Sequence, residues 1–313
     1  MRSLPANYLL CMSQIKIIPQ ICISMRIANN QVQSVVRFFH SELNDQFEKG
    51  EIEIMLFYCF SKFLGFTRRL ELVQRAEETM SESDLLKFNF AVKELKKNKP
   101  LQYILGETVF YGLHFKVNEH VLIPRPETEE LVDLIIRENK GNASKILDIG
   151  TGSGCIAVSL QKFLPDSKVY GLDISQDALA VAKENAVLNS VHVEFLFADI
   201  LKQSFDIRKE NWDVIVSNPP YVTDSEKIGM EANVLDYEPP LALFVPDKDP
   251  LLFYRAIVGY ASENLNKGGL LYFEINKDKG KEVVCLLEES GFSGIRVLKD
   301  MQGSERMVSG RRL

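Results

Sequence analysis

Lys145-Ile-Leu-Asp-Ile-Gly-Thr-Gly-Ser-Gly154, followed by Cys155 to Leu164 with apolar residues at helical spacing, decides the fold class. The short apolar run reads as a buried strand, the alternating glycines as a tight turn, and the periodic segment as the helix which that turn opens. Gly150, Gly152 and Gly154, with Thr151 and Ser153 between them, let the backbone come close to a ligand. The helix start offers N–H groups and a positive dipole end to an anion. A nucleotide-like cofactor is implied. The third glycine comes one residue too early for the G-x-G-x-x-G dinucleotide fingerprint, which counts against nicotinamide cofactors.

Outward from this loop, Lys168 to Asp173 predicts a second strand ending in an acid nineteen residues after Gly154. A carboxylate there can accept both hydroxyls of a ribose. Val191 to Phe197 predicts a third strand, closed by Ala198-Asp199, so that Asp199 and its neighbour Ile200 would border the base. A lone acid after a strand also serves as a helix cap or turn residue, but the order of the strand ends favours a ligand role. Trp212 to Ser217 predicts a fourth strand, closed by Asn218-Pro219-Pro220-Tyr221. Neither proline has a backbone N–H, so this loop offers carbonyl oxygens and the Asn218 amide oxygen to a substrate amino group. Tyr221 adds a flat surface for stacking. The alternative is a strand-terminating turn with a buried tyrosine. The cofactor loop upstream favours a methyl-acceptor site.

At these residues the sequence resembles the class I S-adenosylmethionine-dependent methyltransferases. Within them it resembles the glutamine methyltransferases of peptide chain release factors, the PrmC/HemK type. The likeness includes Leu122-Ile-Pro-Arg-Pro-Glu-Thr-Glu129, Glu238-Pro-Pro-Leu-Ala-Leu243 and the run from Lys299-Asp300 to Arg306, and it covers residues 100 to 313. The resemblance implies an α/β fold with a doubly wound, seven-stranded, mostly parallel sheet, preceded by a small helical N-terminal domain. It implies S-adenosyl-L-methionine as cofactor. Gly150, Thr151, Gly152, Ser153 and Gly154 would surround its methionine part, Asp173 its ribose, Asp199 and Ile200 its adenine, and Asn218 would adjoin it. Asn218, Pro219, Pro220 and Tyr221 would hold the substrate glutamine, with Asn218, Pro219 and Tyr221 as catalytic residues. The implied partner is a class 1 release factor whose Gly-Gly-Gln loop enters the site and whose body meets the helical domain. Two departures stand out: Ile200 where the family often has an aromatic residue, and Phe244-Val-Pro-Asp-Lys-Asp249 where it has a glycine-rich stretch.

The remaining chain divides into expected segments. Residues 1–24 carry Arg2 and Lys16, no acid, and broken apolar runs, which suggests a poorly packed extension before Met25 and not a signal peptide, with a weak targeting peptide as the lower-ranked alternative. Residues 25–98 show helical patterning, with Leu85, Phe88, Val92 and Leu95 on one face of a segment introduced by Ser81. Lys93, Lys96, Lys97 and Lys99 suit the solvated end of a helix. Residues 99–122 read as a β-hairpin linker, with Tyr103 to Val117 as its hairpin. The methyltransferase domain spans 123–313. In it, Thr128 reads as the N-cap of a helix from Glu130 to Arg137, while the resemblance implies that Arg125, Glu127 and Glu129, besides capping, lie in a wall over the site. After four strand-helix units come a strand at Gly268 to Glu274, a helix at Lys279 to Glu289, and a hairpin of Ile295 to Lys299 with Arg306 to Ser309.

Other chemistries fare worse. His40, His114, His120 and His192 are scattered without the short spacing of a metal site. Five cysteines with no C-x-x-C argue for reduced thiols in a cytoplasmic protein. Cys155, at a helix start where a thiol pKa could fall, reads as packing filler because direct methyl transfer needs no covalent intermediate. An adenine-N6 DNA methyltransferase would use the same Asn-Pro-Pro-Tyr chemistry. A net charge of −6 and no lysine- and arginine-rich stripe disfavour duplex binding, and no membrane span is present. A noncatalytic cofactor sensor or adaptor is the alternative of another class. The acceptor chemistry at Asn218 makes it unattractive.

Overall fold

The computed structural model describes residues 27–202 and 211–313. The expected extension, with Cys11 and Cys22, lies outside the described residues. The chain divides into two compact units, Met1–Val92 and Lys93–Leu313.

The described part of the first unit is helical, with α1 Val32–Leu43, α2 Lys49–Leu64, α3 Glu71–Gln74 and the start of α4 Glu82–Leu95. Local chemistry sets the ends. Glu48 and Glu51 close a reciprocal capping box on α2, Gly65 ends it in the left-handed conformation at φ 71°, and the Asp84 N–H donates to Ser81 Oγ before α4. Leu85, Phe88, Val92 and Leu95 are all buried, as their spacing predicts. Phe88 sits at the centre of an aromatic cluster, with ring centroids 4.5 Å from Phe60, 5.2 Å from Phe63 and 6.1 Å from Phe39.

In the second unit, α5 Leu101–Leu105 precedes a hairpin of β1 Glu107–Phe110 and β2 Leu113–Lys116. Tyr103 is therefore helical, a correction to the expected hairpin start. Gly106, at φ 71°, stops the helix before the first strand. The two-residue turn has Tyr111 at φ 48° and Gly112 at φ 73°, the paired left-handed conformation that matches strand twist. The Tyr111 N–H is held by Glu129 Oε1 at 2.7 Å.

Helix α6 runs Pro126–Asn139, earlier than expected. Pro126 takes the first helical position, where its fixed φ fits and its missing N–H costs nothing. Thr128 thus lies inside the first turn and is not the N-cap, which is Arg125.

The sheet elements follow as β3 Lys145–Ile149, α7 Cys155–Phe163, β4 Lys168–Asp173, α8 Gln176–Leu188, β5 Glu194–Phe197 and β6 Trp212–Ser217. Then come β7 Val222–Thr223, α9 Ala232–Tyr237, β8 Phe244–Val245, α10 Leu252–Asn264, β9 Leu265–Glu274, α11 Gly280–Glu289, β10 Phe292–Lys299 and β11 Glu305–Arg312. Strand β5 begins three residues later than expected, because its ladder with β4 starts at Tyr170↔Glu194. Part of the connection from β5 to β6, where a helix was expected, falls outside the described residues.

Seven strands order as β10-β11-β9-β6-β3-β4-β5. The ladders from β9 to β5 are parallel, and β11 runs antiparallel to both its neighbours. Side chains alternate between two cores: Ile146, Val214, Val216 and Tyr272 pack under α6 and α7, whereas Leu147, Ile215, Leu271 and Phe273 pack under α10 and α11. This makes a doubly wound sheet covered on both faces. From β3 the chain winds one way through β4 and β5, then the other way through β6 and β9. The ligand crevice of such a sheet lies at the carboxyl ends beside that reversal.

Phe88→Ala should destabilise the helical unit by about 3–5 kcal/mol, through lost burial and the cavity left among the rings. Chemical denaturation of the wild type and variant checks this.

Candidate active site

The carboxyl ends of β3, β4, β6 and β9 bring the Gly150 loop, Asp173, Asn218 and Glu274 to one edge of the sheet. The glycine loop is held by hydrogen bonds to its neighbours. The N–H groups of Gly150 and Thr151 both donate to the Leu172 carbonyl, at 2.8 and 2.9 Å, and the Gly152 N–H donates to Asp173 Oδ2 at 2.8 Å. Asn185, fully buried on α8, donates to the Ser153 carbonyl at 2.9 Å and exchanges two hydrogen bonds with the Lys116 backbone. It thereby ties the loop to the hairpin.

The three glycines do different work. A Cβ at Gly150 or Gly152 would meet nothing within 4 Å, so the loop presents bare backbone to open space. A Cβ at Gly154 would stand 3.1 Å from Ala182 Cβ, so this glycine serves the close packing of α7 on α8. Asp173 Oδ1 accepts the Ser175 N–H at 2.9 Å. With the Gly152, Ser175 and Ile174 N–H groups on its two oxygens, Asp173 still keeps acceptor capacity for a hydroxyl. Burial holds this carboxyl above the usual range, against the lowering effect of the Ser175 and Gly152 N–H groups. Bare backbone at the loop and a carboxylate with spare acceptor capacity fit the methionine and ribose parts of S-adenosylmethionine.

Asp148, wholly buried under this loop, accepts from Thr151 Oγ1 at 2.6 Å. Its burial pushes its pKa up to about 7. Cys155 also moves upward, to about 12, chiefly through burial. Desolvation outweighs the helix start, in keeping with Cys155 as packing filler against the core. Asp199 Oδ1 accepts the Leu201 N–H at 3.0 Å and its Oδ2 pairs with Lys202 at 3.4 Å, so Asp199 does act as a turn residue. Ile200 packs against the core under α10.

At the end of β6, Pro219 is buried while Asn218, Pro220 and Tyr221 are half-buried. Asn218 Nδ2 donates to Thr128 Oγ1 at 3.2 Å, Thr128 Oγ1 donates to Glu274 Oε2 at 2.6 Å, and the Tyr221 hydroxyl donates to Glu274 Oε1 at 3.2 Å. Burial raises the Tyr221 pKa, and the Glu274 charge adds to the rise. The Arg125 guanidinium pairs at 2.5 Å with Glu238, whose side chain is 1% exposed, and Glu238 also accepts the Ile123 N–H. This pair joins the Ile-Pro-Arg-Pro and Glu-Pro-Pro segments.

Sequence reasoning assigned no site role to Glu274, Asn185 or Glu238, and it gave Thr128 the wrong one. Glu274 alone had a legible signal, since it ends a predicted strand at the carboxyl edge.

A doubly wound sheet with a glycine loop after its first strand, an acid after its second and Asn-Pro-Pro-Tyr after its fourth defines a class I S-adenosylmethionine-dependent methyltransferase. The methyltransferase small domain model matches residues 128–237, and the PrmC N-terminal domain model matches residues 41–106. A release factor glutamine methyltransferase from Flavobacterium psychrophilum is 50% identical over 86% of this chain and 95% of its own. One from Bacteroides thetaiotaomicron is 44% identical over 89% of this chain and 99% of its own. Among solved structures, a methyltransferase from Pyrococcus furiosus covers 64% of this chain and 89% of its own at 19% identity and a TM-score of 0.49. The chain belongs to the release factor glutamine methyltransferase family.

The Asp148 shift has a definite sign. Its folded pKa of about 7 exceeds the ordinary 3.8, so the native state keeps a proton that the unfolded chain loses as pH rises. Wild-type stability should fall relative to Asp148→Asn between about pH 4 and pH 7, and the difference should level off above that. Denaturation series at pH 5 and pH 8 check it.

Proposed function

We propose that this enzyme methylates the side-chain amide nitrogen of the glutamine in the Gly-Gly-Gln loop of class 1 peptide chain release factors. The observation that carries the reading is the orientation of Asn218, whose Nδ2 is engaged by Thr128, so that Oδ1 faces away as an acceptor. The names and high coverage of the relatives support the substrate class. Residues 25–98 serve as the release-factor-recognition domain, 99–122 as the linker and 123–313 as the catalytic domain. The described chain contains no helix long and apolar enough to cross a membrane. A cytoplasmic location fits a partner that acts in translation, and stable nucleic-acid binding is not part of the reading.

An amide nitrogen is a poor nucleophile because its lone pair is delocalised into the carbonyl. Positioning therefore matters more than a strong base. The Asn218 side-chain oxygen and the Pro219 carbonyl accept the two N–H groups of the substrate glutamine, and Pro220 and Tyr221 bound it with a flat apolar wall. As positive charge develops on nitrogen, the two acceptor dipoles stabilise it where water is excluded. Bound S-adenosylmethionine supplies an electrophilic sulfonium methyl. Gly150, Thr151, Gly152, Ser153 and Gly154 would hold its methionine part, Asp173 would accept from the ribose, Asp199 and Ile200 would border the adenine, and Asn218 would adjoin the cofactor.

Asn218→Ala should lower turnover by about 100-fold or more while cofactor affinity stays within about threefold, since the lost dipole acts on the reacting nitrogen. Turnover is read as label transferred from S-adenosylmethionine to purified release factor, with a Gln-to-Ala loop variant and duplex DNA as parallel substrates. Peptide mass spectrometry should place the label on the loop glutamine alone. Label on adenine would overturn the substrate assignment, and cofactor binding with no transfer would point to a sensor.

A further inference from the structure

The donor and acceptor directions around Asn218 are set from a group remote from the substrate. A hydroxyl has one proton and two lone pairs, and an ionised carboxyl has only lone pairs. Thr128 Oγ1 commits its proton to Glu274 Oε2 at 2.6 Å, so toward Asn218 it can only accept, and Asn218 must offer it Nδ2. The amide oxygen is thereby turned the other way. Without the carboxylate, the Thr128 hydroxyl could equally well donate to Oδ1. The amide would then have two orientations differing by exchange of oxygen and nitrogen, and only one of them presents an acceptor to a substrate NH2.

We infer that Glu274 is a positioning residue which, acting through Thr128, fixes the direction in which the Asn218 amide faces. The inference rests on the methyl-transfer reading above and adds to it the origin of its acceptor. The relay joins three separate elements: the first turn of α6, the loop after β6 and the end of β9. Thr128 and Glu274 are each 2% exposed, so water does not compete for these bonds. Glu274 Oε1 takes the Tyr221 hydroxyl at 3.2 Å, so one carboxylate orders both side chains of the acceptor loop. Burial, the largest influence, and the Glu127 charge raise its pKa above the usual carboxylate value, while the Thr128 and Tyr221 hydroxyls and the positive charge of Arg306 oppose that rise. Arg306 is itself held by Asp300 at 3.1 Å, which gives the C-terminal Asp300-to-Arg306 segment a part in the site.

The test compares Thr128→Val, Thr128→Ser and Glu274→Ala in the full chain. Three quantities are read: kcat on release factor, S-adenosylmethionine affinity, and inhibition by a release factor whose loop glutamine is replaced by glutamate. Thr128→Val should lower kcat at least about tenfold with cofactor affinity unmoved, and Thr128→Ser should restore most of the loss. The glutamate competitor should gain about tenfold or more in Thr128→Val, because a freed amide can turn its NH2 toward a carboxylate. A general loosening of the structure would not produce that reversal of preference. Equal kcat in the Val and Ser variants, or an unchanged preference against glutamate, overturns the inference. Should Glu274→Ala fail to fold, the Thr128 pair decides. Absence of glutamine methylation by the wild type would instead remove the underlying reading, before any variant is compared.

Discussion

The parallel register of β3 with its two neighbours is the constraint on which the rest depends. Ile149 pairs with Leu172 on one side and with Ser217 on the other. The residue that follows each of these three is Gly150, Asp173 or Asn218, so the glycine loop, the acid and the amide proposed for cofactor and substrate leave the sheet in one row. Ser217 Oγ donates to the Ile149 carbonyl at 2.6 Å and pins the last step of this alignment. A slip of one residue would move every apolar side chain of a strand to the opposite face. Both faces are buried, and the alternation of Ile146 with Leu147 and of Val214 with Ile215 therefore sets the site as firmly as it sets the core.

Charge is handled differently on the two sides of the crevice. On the cofactor side, Asp148 lies fully buried with the Thr151 hydroxyl as its close partner, and desolvation dominates its protonation. On the substrate side, Glu274 is buried too, yet two hydroxyl donors and the nearby Arg306 offset part of the cost. Half-buried Arg125 pairs with buried Glu238 and fastens the start of α6 to the segment after α9. Thr128, three residues beyond Arg125, is carried on that same turn. Packing of the wall and orientation of the acceptor are thus consequences of one short helix start.

Much of this was legible in the sequence. The strands Lys145 to Ile149, Lys168 to Asp173 and Trp212 to Ser217 stand where their apolar runs place them, because a fully buried strand must be apolar between its turn residues. Less legible were features that depend on partners distant in sequence. Thr128 reads locally as a cap, and only the start of α6 at Pro126 moves it into the first turn, facing Glu274, 146 residues away. Asn185 looks like any polar residue on a helix, yet it bridges the glycine loop and the hairpin. Gly154 looks like its fellows in the loop until Ala182 is seen against it. Residues 101–105 form a helical turn that Gly106 cuts short, too brief for periodicity to reveal.

The glycine loop has its N–H groups already engaged by Leu172 and Asp173. Such a cradle has little left to order when a ligand enters, so binding costs little conformational entropy. The same rigidity limits discrimination. The spent cofactor differs from the fresh one by a methyl group and the charge on sulfur, and it keeps the ribose, adenine and amino-acid parts. Were both held alike, the enzyme's pace would depend on how quickly other reactions clear its by-product.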